Sequence, residues 1–94
     1  MRNIQKRTAF GVELQKYRVS AKMTMTEMAQ LLGVRYDYLS KIENEKSMPT
    51  FKMFVRILDA LRPPQEVRQR LLAAAIKTVR DELAAIRERV PREV

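Results

Sequence analysis

The sequence predicts an all-α fold, a bundle of four or five helices that ends in a long C-terminal helix. The 94 residues include only two glycines and four prolines. No run alternates apolar and polar residues, as a half-buried strand would. Apolar residues instead recur at three- and four-residue spacing, which is typical of amphipathic helices.

The first two helices are predicted from their end signals. Thr8 caps a helix that ends near Ser20, and its apolar face carries Phe10, Leu14 and Tyr17. Thr24 and Glu27 have the spacing of a capping box, in which hydroxyl and carboxylate each accept a main-chain N–H. Gly33 ends the second helix, because glycine is free to take a positive φ.

Three further helices follow along the chain. The third is predicted at about residues 36–44. Thr50 caps a fourth that ends near Leu61. The prolines of segment 62–64 then separate it from a fifth helix, predicted over about residues 65–90.

Composition narrows the classes of function. Nineteen basic against 11 acidic residues give a net charge of +8, which suggests a polyanionic partner, although a basic surface also serves solubility alone. The absence of cysteine and histidine excludes disulfides and the usual zinc sites and disfavours an enzyme, so we expect no metal or cofactor. We see no membrane-spanning run or apolar signal segment, and we expect a cytoplasmic protein.

The second and third predicted helices share one joint pattern. Ala29 is small enough for a close helix crossing, and Gly33 permits a sharp turn four residues later. Apolar residues stand in register on the facing sides: Met28, Leu32, Val34, Leu39 and Ile42. Two helices joined in this way form a helix-turn-helix, whose second helix has a free outer face.

Over about residues 10–61 the chain resembles the Cro/phage-repressor (XRE-type) helix-turn-helix family. The matching residues are Gly11, Leu14 and Arg18 in the first helix, Ala29, Leu32 and Gly33 in the second, the stretch Leu39–Glu43, and Pro49, Thr50 and Leu61. The resemblance implies a lambda-repressor-like fold, a bacterial or phage origin and a dimer on a near-palindromic operator. It divides the chain into a flexible basic arm (1–7), a DNA-binding domain (8–61) and a C-terminal helical extension (62–94).

The resemblance places five side chains at base edges: Arg35, Tyr36, Asp37, Ser40 and Lys41. Lys41 can donate to guanine O6 and N7, and Asp37 can accept from cytosine N4. The Ser40 hydroxyl can either donate or accept. Asp37 has an alternative role, which is to complement the helix dipole. Arg35 departs from the family, which usually has a capping Ser or Thr there, so the first amides of this helix need another partner.

The DNA backbone contacts implied by the family are Thr24, Met25, Asn44 and Lys46. Met25 stands where the family often has a phosphate-binding glutamine, and Glu45 replaces a common glycine. The N-terminal arm is a candidate to enter an adjacent minor groove of the DNA through its basic residues Arg2, Lys6 and Arg7. The alternative for this arm is a solvated, disordered terminus.

The resemblance also implies a partly buried ion pair between Arg18 and Glu43. It would join the first helix to the end of the third. Sequence spacing alone favours two exposed charges at these positions.

The fifth helix carries two apolar stripes. One is a heptad seam, with spacings of four and three, and comprises Leu72, Ile76, Val79, Leu83, Ile86 and Val90. The other contains Val67, Leu71 and Ala75 and suits packing on the bundle. We expect the seam to meet a second copy or another protein; the alternative is that it packs within its own chain. Whether the two paired helices run parallel or antiparallel stays open.

The leading hypothesis is a homodimeric, sequence-specific regulator of transcription that binds double-stranded DNA at an inverted repeat. The alternative is an antitoxin or protein-interaction module that keeps the helix-turn-helix core. Its C-terminal helix would then bind a protein partner such as polymerase or a toxin.

Overall fold

The computed structural model describes residues 7–45 and 47–89, and these form five helices and no strand. The helices are α1 (Ala9–Ser20), α2 (Met25–Leu32), α3 (Tyr36–Asn44), α4 (Phe51–Leu61) and α5 (Gln65–Arg89). The predicted all-α class is confirmed, and the helix ends agree closely with those expected from the capping residues.

The capping signals act as predicted. The Thr24 hydroxyl accepts the Glu27 N–H at 3.0 Å, and the Glu27 carboxylate accepts the Thr24 N–H at 2.8 Å. The Thr50 hydroxyl accepts the N–H of Met53 at 3.1 Å. Gly33 ends α2 with a φ of 70°, as the sequence indicated.

One hydrophobic core joins all five helices. Phe10 of α1 and Phe54 of α4 meet edge to face, with ring centroids 5.2 Å apart. The other buried apolar residues are Leu14, Met28, Ala29, Leu32, Leu39, Ile42, Ile57, Leu61, Leu71, Ala74 and Ala75. This core extends beyond residue 61 and includes the first half of α5.

The first turn of α1 is capped by two hydroxyl groups, one from its N-cap residue Thr8 and one from α5. The Thr8 hydroxyl accepts the N–H of Gly11 at 2.8 Å. The buried Thr78 hydroxyl of α5 accepts the N–H of Phe10 at 3.1 Å and donates to the Ala74 carbonyl at 2.8 Å. Two amides that α1 cannot bond internally are thereby satisfied.

The two apolar stripes of α5 differ in burial. Leu71 and Ala75 are buried against the bundle and Val67 is half-buried, so the predicted inner stripe is confirmed. The seam is exposed: Leu72, Ile76, Val79, Leu83 and Ile86 retain 38–58% of their accessible surface. The whole of α5 is about 37 Å long, and its distal part projects past the bundle. All side chains of residues 81–87 are therefore exposed.

Candidate nucleic-acid interface

The turn between α2 and α3 is built around Gly33. Its N–H donates to the Gln30 carbonyl at 3.2 Å, and the next N–H, of Val34, donates to the Ala29 carbonyl at 3.0 Å. A Cβ at Gly33 would lie 2.9 Å from Arg56 Nη2, in addition to the strain of a positive φ. The positive φ therefore favours glycine at this turn, and the turn brings α3 against α2.

The two faces of α3 differ sharply in burial. Leu39, Ile42 and Glu43 point inward and are buried. The opposite face consists of polar residues: Tyr36, Asp37, Lys41 and Asn44 are exposed, and Ser40 is half-buried. The structure thus brings four of the five predicted base-reading residues onto one face, and Arg35 lies next to it at the start of the helix.

Arg35 is the N-cap of α3 and makes no side-chain capping bond. Its guanidinium pairs instead with the Asp37 carboxylate, with Nε and Oδ1 3.2 Å apart. This hydrogen bond lowers the pKa of Asp37, and the Arg35 charge and the main-chain N–H groups of Asp37 and Tyr38 lower it further. The pair compensates one positive charge at the edge of the face.

The centre of the α3 face, unlike the ion-paired Arg35 at its edge, carries a lysine without an ion-pair partner among the described residues. Asn44 Nδ2 donates to Ser40 Oγ at 3.4 Å, which orients both side chains along the helix. Lys41 is exposed and makes no ion pair with any other residue in the described ranges. Its ammonium group therefore remains available to a ligand in front of α3.

The far end of α3 is held by the predicted ion pair. Arg18 Nε lies 2.8 Å from Glu43 Oε2, and Arg18 Nη2 donates to Oε1 at 3.1 Å. The Glu43 side chain is fully buried, and that of Arg18 is 13% exposed. Arg18 Nη1 also donates to the Met23 carbonyl at 2.9 Å. The burial implied by the family resemblance is confirmed.

Two further contacts at this end were missed in the sequence. Arg7 Nε donates to the Glu43 carbonyl at 2.8 Å, and its guanidinium also bonds Gln15. A Cβ at Gly11 would lie 2.2 Å from the Ile42 carbonyl oxygen, so α1 approaches α3 too closely for a side chain. The contact of Arg7 with Glu43 and that of Gly11 with Ile42 leave no local signal in the sequence, because each joins segments more than 30 residues apart.

The predicted backbone-contact residues lie at several levels of exposure. Thr24 is exposed at the start of α2, whereas Met25 is half-buried and packs against the core. Glu45 is exposed just after α3. Arg2, Lys6 and Lys46, and Val90 of the predicted seam, lie outside the described residues.

An apolar groove lies beside the exposed seam of α5. It has a volume of about 560 Å³ and runs between α5 and the segment from Met48 to Phe54. Its edge carries Phe51, which is 80% exposed in the first turn of α4. The α5 wall is formed by Leu72, Ala75, Ile76, Val79, Arg80 and Leu83. The sequence did not predict this groove, because its two walls come from elements that only the tertiary fold brings together.

Other kinds of site are not seen in the part of the chain that the structure describes. Residues 7–45 and 47–89 contain no cluster of acidic side chains able to hold a metal ion. None of the helices in these ranges has the length and apolar character needed to cross a bilayer.

A sharp glycine turn joins α2 to α3, and the polar face of α3 points away from the core, which defines a helix-turn-helix protein. The family model described as "Helix-turn-helix" matches residues 14–67, more than half of the chain. The chain belongs to this family, the Cro/repressor (XRE-type) helix-turn-helix proteins, which are DNA-binding. A comparison with curated proteins found no match.

Proposed function

We propose that this protein is a sequence-specific regulator of transcription that binds double-stranded DNA as a homodimer. Each subunit would insert α3 into the major groove at one half of an inverted-repeat operator. The observation that carries this proposal is the outward face of α3, where polar side chains stand exposed on a helix anchored from behind. We place the protein in the cytoplasm of a bacterium or phage-infected cell, where it needs no cofactor.

Reading of the bases is assigned to the α3 face. Lys41 donates to guanine O6 and N7, and Ser40 donates or accepts as the base requires. Asp37 accepts from cytosine N4, and Tyr36 donates to a phosphate or packs on a thymine methyl group. Arg35 binds a phosphate or a guanine, and it does so by exchanging its bond with Asp37 for one with DNA.

Contacts with the DNA backbone flank this face. The N-terminus of α2, with exposed Thr24 and half-buried Met25, presents main-chain amides to a phosphate. Asn44 and Lys46 bind the backbone beyond the far end of α3. The basic residues of the N-terminal arm, Arg2, Lys6 and Arg7, add charge that a polyanion attracts, in keeping with the net charge of +8.

Dimerisation is assigned to the exposed seam of α5. Six aliphatic residues contribute to it by sequence, and the five described ones are half-exposed on a helix that projects from the bundle. A two-fold dimer sets two reading helices about one helical turn of DNA apart. Occupancy of such an operator regulates transcription by blocking polymerase or by contacting it.

The proposal is tested by titrating duplex DNA with the protein and measuring fluorescence anisotropy at several salt concentrations. We expect binding to random duplex at low salt, tighter binding to sites selected from genomic fragments, and two inverted half-sites in those selected sites. Lys41→Ala should lower the affinity for the selected site about tenfold or more. Lys16→Ala removes the same charge from an exposed position on α1 and should have little effect. Absence of binding to any duplex at low salt would overturn the proposal.

A second candidate is a protein-interaction module, such as an antitoxin, in which the helix-turn-helix core has lost its DNA role. Two observations favour it: Asp37 compensates the Arg35 charge, and the apolar groove and seam lie open beside α5. In this case the partner, polymerase or a toxin, binds α5. The same titration separates the two candidates, because a pure interaction module does not bind random duplex even at low salt.

A further inference from the structure

The exposed apolar surface of α5 does not stop at the helix itself. Its seam continues into the groove, whose opposite wall carries Phe51 at the start of α4. Phe51 is 80% exposed and five aliphatic side chains of the seam are 38–58% exposed, so this surface has an area on the order of a few hundred Å². A contiguous apolar patch of this size usually marks an interaction site. The shape and spacing of the seam suit a second helix lying along it.

Charges beside the seam are arranged differently from those on the outer face of α5. On the outer face Lys77 and Asp81 are four residues apart and pair with each other at 3.1 Å. Glu82 and Arg87 flank the seam on opposite sides and form no ion pair with any described residue. Within the described helix neither has an opposite charge three or four residues away, where an intrahelical partner would stand. Their charges are thus available to a neighbouring helix.

The heptad positions show which neighbour fits. Taking Leu72, Val79 and Ile86 as d and Ile76 and Leu83 as a, Glu82 occupies a g position and Arg87 the following e position. In a parallel pair of such helices, a g residue faces the next e residue of the partner. Glu82 would then face the partner subunit's Arg87, and by symmetry the pair would form twice.

The opposite orientation is disfavoured by the same residues. In an antiparallel pair, e positions face e positions. Arg80 and Arg87, which both occupy e positions, would then face arginines of the other chain, and these like charges repel. In the parallel pair the g position facing Arg80 is Ala75, which carries no charge. Only the parallel pair therefore combines apolar burial with charge complementarity.

We propose that the distal part of α5, from residue 76 to residue 87, pairs in parallel and in register with α5 of a second copy. The partner helix also enters the groove and packs against Phe51. This inference rests on the homodimer of the proposed function, and it adds the orientation, the register and the contribution of α4.

Cysteine cross-linking tests the orientation directly, because the chain contains no cysteine of its own. Val79→Cys and Ile86→Cys place single thiols at two d positions about 10 Å apart along the helix. In a parallel dimer each position faces its own copy, so both variants should form disulfide-linked dimers under mild oxidation. In an antiparallel dimer at most one of them lies near the crossing point. Lys77→Cys, on the outer face, is the control and should remain unlinked.

Charge exchange provides the second arm, with the dimer dissociation constant measured by sedimentation. Glu82→Arg and Arg87→Glu should each weaken the dimer about fivefold, and the double exchange should restore it. Asp81→Arg makes the same charge change on the outer face and should leave the dimer affinity nearly unchanged. A tighter dimer in Arg87→Glu, or cross-linking at only one d position, would overturn the parallel arrangement.

The outcomes also separate this inference from the proposed function. A stable dimer that binds DNA but cross-links at neither d position overturns the α5 pairing and leaves the DNA-binding homodimer intact. A chain that stays monomeric both free and on DNA removes the homodimer as well.

Discussion

The main-chain N–H of Phe10 donates to the buried Thr78 hydroxyl at 3.1 Å, which joins the first turn of α1 to the middle of α5. Because the Thr78 hydroxyl also donates to the Ala74 carbonyl, both of its hydrogen-bonding roles are used. Helix α5 is therefore a structural part of the bundle that positions the candidate DNA-reading helix.

Replacing Thr78 by valine should destabilise the fold. The buried Phe10 amide would lose its acceptor, at a cost of about 1–3 kcal/mol in the free energy of unfolding. Thermal melting should then show a midpoint at least about 5 °C lower. Thr78→Ser keeps the hydroxyl and is the matched control, expected to melt above Thr78→Val. Equal melting of the valine variant and the parent protein would show that the hydrogen bond contributes little.

Removing the Glu43 carboxylate should be more costly still. Glu43→Ala leaves the Arg18 guanidinium largely buried without its partner, and we expect a loss of about 3–5 kcal/mol in the free energy of unfolding. Urea unfolding gives this quantity directly. Glu45→Ala removes an exposed carboxylate two residues away and should change stability by less than about 0.5 kcal/mol. An unchanged unfolding midpoint in Glu43→Ala would rule out a stabilising role for the buried pair.

A methyl group at position 11 should force α1 and α3 apart. In Gly11→Ala the new Cβ would start 2.2 Å from the Ile42 carbonyl oxygen, and a main-chain atom cannot move aside without shifting its helix. We expect a destabilisation of about 1–3 kcal/mol, measured by chemical denaturation. Lys16→Ala, at an exposed position of the same helix, serves as the control. Parental stability in Gly11→Ala would mean that the two helices separate at little cost.

Neutralising Asp37 should strengthen non-specific DNA binding. Arg35 lowers the pKa of Asp37, so this carboxylate stays ionised and compensates the Arg35 charge even below the pH at which an ordinary aspartate gains its proton. Asp37→Asn releases Arg35 to a phosphate, and the slope of log affinity against log salt should steepen by about 1. Asp59→Asn, the same change on an exposed residue of α4, is the control. Weaker binding of Asp37→Asn to random duplex would contradict this assignment.

Phe51→Ser should weaken self-association and leave the fold of each subunit intact. The ring is 80% exposed, so its loss removes almost nothing from the core. If it packs against the partner's α5, two buried rings are lost per dimer and the dissociation constant should rise about tenfold or more. Val19→Ser, at a 60% exposed position of α1, is the control. An unchanged sedimentation profile for Phe51→Ser would place the groove outside the dimer interface.

Much of the fold followed from the sequence alone. Helix ends depend on residues close in sequence, such as the Thr24–Glu27 capping box and Gly33, so their signals are local. The outward face of α3 followed from the same logic, because Leu39 and Ile42 define its inner side at helical spacing. The buried Arg18–Glu43 pair was implied by family resemblance, since spacing alone indicated exposed charges.

Only the tertiary structure decided which distant groups meet. The Thr78 hydroxyl at the amide of Phe10 and the close approach of Gly11 to Ile42 depend on how helices far apart in the chain pack together. The groove beside Phe51 likewise exists only where the start of α4 lies next to α5. Local periodicity determines which side of a helix is apolar, whereas packing determines which apolar side remains open. On α5 packing covered the stripe of Leu71 and left the seam of Leu83 exposed.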